Sequence, residues 1–158
     1  MYFCFGAAII AALYFPSVGS GVSKRGKNTA NAVAIFNIDD LSTWQKYRKG
    51  LCDTCHATCC TLPVEVTVSD LVRMTLVDEF EAEGDLKAIA KRLQKARIID
   101  NFNHKTAIFT LARMANDDCL YLDSKTRRCT IYHQRPETCR NHPQIGPKAN
   151  YCPYRPRE

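Results

Sequence analysis

The chain of 158 residues has little that belongs to a familiar enzyme class. It carries no glycine-rich nucleotide loop, so there is no candidate for a turn that cradles phosphate. It has no internal repeat, and no low-complexity tract beyond one linker. Its one long uncharged apolar run, Met1 to Phe15, is shorter than the ~20 residues a transmembrane helix needs. No Lys or Arg precedes that run, as a secretory signal normally requires, and no lipobox leads to Cys4. No segment has the pattern of a recognition helix or an aromatic stacking platform, so no nucleic-acid partner is expected despite the formal charge of +6.

Residues Pro16 to Thr29 are Gly/Ser-rich and basic, the composition of a linker. Ser17 to Ser20 would supply small residues for cleavage of a signal peptide, and the length of the apolar run suits one. The Lys24-Arg25-Gly26-Lys27 run would favour a cytoplasmic body if the segment did insert. The expectation is that residues 1–34 lie outside the fold, as an upstream extension from a misassigned start or as a weak anchor through residues 1–15. Residues 35–158 are then expected to form one cytoplasmic domain with no stable membrane anchor and a modest core.

Cysteine, by contrast, is abundant: nine residues, of which Cys4 stands alone in the apolar run. Cys52, Cys55, Cys59 and Cys60 fall within the segment CDTCHATCC, and Cys119, Cys129, Cys139 and Cys152 follow. Eight cysteines suit four disulfides as well as two tetrahedral metal sites, so parity decides nothing. Spacing favours metal, because disulfide frameworks of small secreted domains distribute their cysteines more evenly. All eight are therefore candidate ligands. Thiolates select zinc, copper(I) or iron–sulfur clusters over magnesium and calcium, and spacing alone leaves zinc and iron both open. His56 and His142 are weaker candidates to replace a thiolate, and His104 and His133 read as surface or packing residues.

The charge is unevenly placed. Residues 1–50 are net +4, 51–103 net −3 and 104–158 net +5. Eight thiolates around two divalent ions would lower the total to about +2, so the basic balance reads as compensation for sulfur.

Asp39 or Asp40 is placed to cap a helix through Lys49, with Gly50 as its stop and Trp44, Tyr47 and Leu51 as core contacts. Val64 to Val68 alternates as a short strand, Ser69 then caps a helix over Asp70–Val77, and an acidic run with Gly84 follows. A second helix is expected from Asp85 to about Ile98, with Leu86, Ile89, Ala90, Leu93 and Ala96 as its buried stripe. Lys87, Lys91 and Lys95 read as its solvated face. Thr106 to Arg113 reads as a strand. Leu120–Leu122 and Cys129–Tyr132, joined by Asp123–Thr126, read as a β-hairpin, with a helical turn after it presenting Cys139.

If the first cluster is helical, Cys52, Cys55 and Cys59 share an arc of about 60°, while Cys60 lies about 80° round from Cys52 and off that arc. Three of the four are then expected to serve one centre, with the fourth bridging or belonging to a second. Arg135 and Arg140 flank Cys139 and can donate hydrogen bonds towards anionic sulfur. Pro136 is placed to begin a helical turn.

CDTCHATCC at 52–60 together with CLYLDSKTRRCTIYHQRPETCRNHP at 119–143 resembles the YkgJ-type cysteine-cluster family over about residues 44–153. The hallmarks are C-x2-C-x3-C-C and a later C-x-I-Y-x-x-R-P-x-x-C-R, met here by Cys129, Ile131, Tyr132, Arg135, Pro136, Cys139 and Arg140. The resemblance implies chelation of zinc or iron, and brings no defined reaction. A related domain in flagellin lysine methylases keeps a methyl-transfer or redox enzyme as the alternative. Against one version of it, C-x2-C-x3-C reverses the order found in radical S-adenosylmethionine enzymes, and the chain is too short for their barrel. The expected fold is a small α+β domain of two or three helices and a short antiparallel sheet, stapled by metal; no protein partner is implied.

Overall fold

A computed structural model describes residues 37–157. The apolar run, Cys4, the linker and the expected boundary at 34/35 lie outside them. The architecture is α+β, with four helices, two of them only four or five residues long, and antiparallel sheets.

Helix α1 (Val68–Arg73) begins at Thr67, whose side chain accepts from Asp70 N while Asp70 reaches back to Thr67 N. This capping box, rather than Ser69, sets the start, since Asp70 lies three residues beyond Thr67. The helix ends earlier than expected: Thr75 turns left-handed at φ 59° and Leu76 N donates to Leu71 O at 2.9 Å. Asp78 caps α2 (Glu79–Ala82), and Asp85 caps α3 (Leu86–Lys95). On α3, Ile89, Ala90 and Leu93 are buried, and Lys87, Lys91 and Lys95 are exposed. Ala96, expected in the stripe, is the exposed cap residue, because Arg97 at φ 58° closes the helix there.

The segment after α3 is a strand the sequence did not advertise. In β3 (Ile99–Asn103), Asp and Asn occupy three of five positions, residues that strands disfavour. Pairing with β4 (Ile108–Leu111) overrides that, and β2 (Glu65–Val66) joins the other edge of β4. Phe102 lies opposite Phe109 with ring centroids 4.4 Å apart. The hydrophobic cluster runs from Val64 to Leu111 and includes Val66, Leu71, Ile89, Leu93 and Phe109.

Outside it, regular structure thins. The expected helix over 39–49 is instead a 3-10 turn at Leu41–Thr43 followed by β1 (Gln45–Lys46). Antiparallel pairing with β5 (Tyr151–Cys152) draws this stretch into extended form. Trp44 and Leu51 are buried, whereas Tyr47 is exposed and is no core contact. Gly50, at φ 86°, precedes a 3-10 turn at Leu51–Thr54 instead of ending a helix. The expected hairpin makes one isolated bridge, Leu122 to Cys129, with no ladder. Asp123 Oδ1 there accepts from the Lys125 and Thr126 amides, and Arg127 turns left-handed at φ 53°. This wide turn leaves its arms too short to zip. Pro136 caps α4 (Glu137–Asn141), which carries Cys139. No helix among the described residues is long and apolar enough to cross a membrane.

Candidate metal centre

The first cysteine cluster is two separate turns, not one helix. Cys52 lies in Leu51–Thr54, Cys55 is extended, Ala57 is left-handed at φ 59°, and Cys59 and Cys60 lie in the 3-10 turn Thr58–Thr61. The common helical arc of Cys52, Cys55 and Cys59 therefore does not describe this run. What the run does is present thiols on both sides of a break, where different parts of the chain meet them.

On one side the C-terminal segment returns. Gln45 pairs with Cys152, and Cys55 forms a bridge with Pro156. His56 N donates to Arg155 O at 2.7 Å, and Arg157 N donates to Thr54 O at 2.9 Å. These bonds place Cys152 by Cys52 and Cys55, whose charges both push the Cys152 thiol upward. On the other side Cys119 N donates to Cys60 O at 2.9 Å, and Leu122 N donates to Cys119 O at 3.0 Å. The Leu122–Cys129 bridge then brings Cys129 in. Helix α4 is pinned by Glu137 N donating to Asp70 Oδ1 and Thr138 Oγ1 to Glu65 O, both at 2.9 Å, and Cys139 packs against the core.

The electrostatics trace the same division. Burial pushes Cys139 up to about 12, helped by the charges of Cys60, Cys119 and Cys129. Burial also raises Cys119 and Cys129, each of which feels Cys60. Burial raises Cys52, with Cys55 and Asp53 adding to it, and carries Cys152 to about 11. Cys59 stands between the groups: its hydrogen bond to Cys60 and its burial hold its proton, and the charges of Cys55 and Cys139 both reach it. That same bond lowers Cys60, and Arg127 and Arg135 lower it further against the cost of burial.

None of the eight described cysteines is in a disulfide. Among the described residues no three Cys, His, Asp or Glu side chains already converge on one point as a metal cage. The fit to a metal is one of donor chemistry and neighbourhood: thiols near one another on either side of Cys59, with guanidinium groups beside them. Arg135 sits over the Tyr132 ring at 3.7 Å and donates to Tyr132 O at 3.0 Å. Its charge favours the thiolates of Cys52, Cys60, Cys129 and Cys139. Arg140 is exposed on α4.

Two residues of the site, Arg127 and Asp118, are not among those the sequence singles out. Arg127 Nη2 donates to the buried Asp118 carboxylate at 2.9 Å, and Arg127 Nε donates to His56 O at 3.2 Å. The guanidinium holds the Asp118 carboxyl below its usual value. A signal was present in charged residues abutting cysteines, Asp117-Asp118-Cys119 and Arg127-Arg128-Cys129. Of the histidines, His104 packs edge-on to Phe102 and His133 edge-on to Tyr132. Burial lowers His142, and its Nε2 has no hydrogen-bond partner among the described residues.

The family model CxxCxxCC, described as "Putative zinc- or iron-chelating domain", matches residues 51–154. In this chain the second gap of the motif is three residues, His56 to Thr58. No curated protein and no solved structure matches.

Proposed function

The chain belongs to this zinc- or iron-chelating domain family, and we propose that it holds two metal ions, each in a set of four thiolates. The outer set is Cys52, Cys55, Cys59 and Cys152; the inner set is Cys60, Cys119, Cys129 and Cys139. The observation that supports this is the backbone pairing that brings the C-terminal strand to Cys55, Cys119 to Cys60 and Cys129 to Leu122; Cys59 is assigned to the outer set as the thiol that four inner ligands leave over. Two tetrahedral four-sulfur sites use every thiol of the two clusters, as zinc or an iron centre would require.

Bound metal supplies the cross-links that a chain with short strands lacks. The residues do the rest: α4 and the Asp123 turn position the inner sulfurs, and Arg127 and Arg135 offset their charge. The thiols give up protons as they bind, so affinity falls as pH falls.

A methylase-like or redox catalyst using the same centre is the alternative reading. Two clefts of about 510 and 460 Å³ are lined by residues such as Leu76, Glu81 and Arg92, or Arg97, Asp100 and Arg113, and no cysteine lines either. The chelation reading carries with it a reducing compartment, the cytoplasm, and no nucleic-acid partner.

Metal analysis with an absorption spectrum of anaerobically purified protein tests it. Two ions per chain are expected, colourless for zinc and coloured for iron, without inorganic sulfide and with loss of structure on chelation. A folded protein without metal and indifferent to chelators would sink the proposal.

A further inference from the structure

Of the large apolar side chains among the described residues, Phe80 is the most exposed, at 88%. Its placement follows from α2. Ala82, two residues on and therefore about 200° round the helix, packs against the core, so Phe80 faces away from it. Asp78 Oδ1 accepts from Glu81 N at 2.7 Å, and Glu83 N donates to Phe80 O at 3.3 Å, which fixes both ends of this short helix. Glu79 and Glu81, on either side of Phe80 in the chain, line a cleft of about 510 Å³. The cleft is apolar at Val72, Leu76 and Val77. An aromatic rim thus stands beside an apolar-walled cleft.

The charge of this face has one sign once its internal pairs are set aside. Arg92, the cation of the cleft, is already engaged: Nε and Nη2 each donate to Glu81 at 2.8 Å, and Nη2 also donates to Leu76 O at 3.0 Å. Arg73, at the end of α1, donates to Asp70 at 2.7 Å. The lysines of α3 point elsewhere: Lys95, Lys91 and Lys87 lie about 60°, 100° and 140° round the helix from Arg92. Asp78 and Glu79 remain in the cleft, with Glu83 and Asp85 further along the loop, all four exposed. The capping bonds of Asp78 and Asp85 come from backbone amides and leave both charges in place. In a chain of net charge +6, the segment Asp78 to Asp85 holds five carboxylates and no cation. Phe80 and the cleft make the surface, and the carboxylates set the sign of what it takes.

We propose that this face docks a cationic segment of another protein, one that lays an apolar side chain on Phe80 and runs a lysine or arginine into the cleft. The methylenes of such a side chain match Val72 and Leu76, and its charged head meets Asp78 and Glu79. A neighbouring cation of the segment can pack on the Phe80 ring. The Glu81–Arg92 pair is made before the partner arrives, so one side of the cleft needs no rearrangement. An acidic segment would meet like charge, and a wholly apolar one would cover carboxylates without pairing them. No cysteine belongs to this face, so docking and metal binding use different parts of the chain.

The full chain is titrated with three labelled peptides: lysines around a central Leu, the same peptide with Ser for Leu, and the same with Glu for Lys. Fluorescence anisotropy gives the affinity, and amide NMR shifts give the place. The Lys/Leu peptide is expected to bind, more weakly as salt rises, and to shift the amides of residues 72–85. Phe80→Ser should weaken it about tenfold, and so should Glu79→Gln with Glu83→Gln, which should also flatten the salt dependence. These side chains are exposed, so neither variant should move the circular-dichroism transition. Absence of binding, equal binding of the Ser or the Glu peptide, or full affinity in Phe80→Ser overturns the inference. A dimer in sedimentation that Phe80→Ser dissolves would make a second copy the occupant, and overturns it too. Metal content enters none of these outcomes, so the chelation reading stands or falls separately.

Discussion

Residues 64–112 and the cysteine-bearing segments on either side, 44–62 and 113–157, are held together by different forces. The first region has a three-stranded sheet, a ten-residue helix, and every member of the main hydrophobic cluster. The second has two-residue strands, 3-10 turns and isolated bridges, with left-handed backbone at Ala57, Asp117, Arg127 and Asn150. Its buried apolar side chains include Trp44, Leu51 and Leu122. Burial of apolar surface stabilises the first region, at roughly 25 cal/mol per Å². The second devotes its sequence to thiols and their charge partners, and its distant segments meet through short backbone pairings.

Trp44, the single tryptophan, reports on the cysteine-bearing region, while far-ultraviolet circular dichroism reports mainly on the helices packed against the sheet. The two signals are expected to separate in metal-free protein. The largest effect should come from Phe109→Ala, since Phe109 is fully buried at the centre of the sheet. A loss of about 3–5 kcal/mol in the dichroism transition is expected. An equal shift of the Trp44 transition in metal-free protein would mean that the regions unfold as one.

A smaller effect is expected on the other side of the comparison. Asp118→Asn in metal-free protein should cost about 2 kcal/mol, read from the Trp44 transition, because it weakens a charged hydrogen bond that is out of water. The wild-type carboxyl lies below its usual value of 3.8 in the fold. Its contribution is therefore complete above that pH and is lost as the pH falls through the lower, folded-state value. Urea titrations of wild type and Asp118→Asn between pH 6 and pH 3 should converge at the acid end (pH range set by ordinary carboxylate titration, ~4). Parallel curves would remove Asp118 from the account.

The smallest effect belongs to Thr67→Ala, which removes half of the capping box on α1 and should cost about 1 kcal/mol. It should move the dichroism transition and leave metal content unchanged. Loss of metal in this variant would show that α1, through Asp70 and α4, couples the core to Cys139.

Legibility tracked the range of the interactions. The start and buried stripe of α3 were readable because Asp85, Leu86, Ile89 and Leu93 lie within a few turns of one another, while its end came at Lys95, short of Ile98. Strand β3 was not, because its Asp and Asn residues are tolerated only through pairing with β4. The helix expected over 39–49 failed for the same reason: β1 answers to β5, over a hundred residues away. At the site, the identity of the donors was plain in the cysteine spacing, but Arg127 was hidden because its partner Asp118 reaches it across a turn.

The sequence by itself determined what kind of chemistry this protein can do, since thiol donors and their local spacing select soft metals whatever the fold around them. Only the tertiary structure decided which thiols are neighbours. Cys55 and Cys60 belong to one cluster in the chain, yet Cys60 meets Cys119 while the Cys55 segment meets the C-terminal strand. A break at Ala57 and two long-range backbone pairings produce that division, and loop closure over such distances leaves no local trace in sequence.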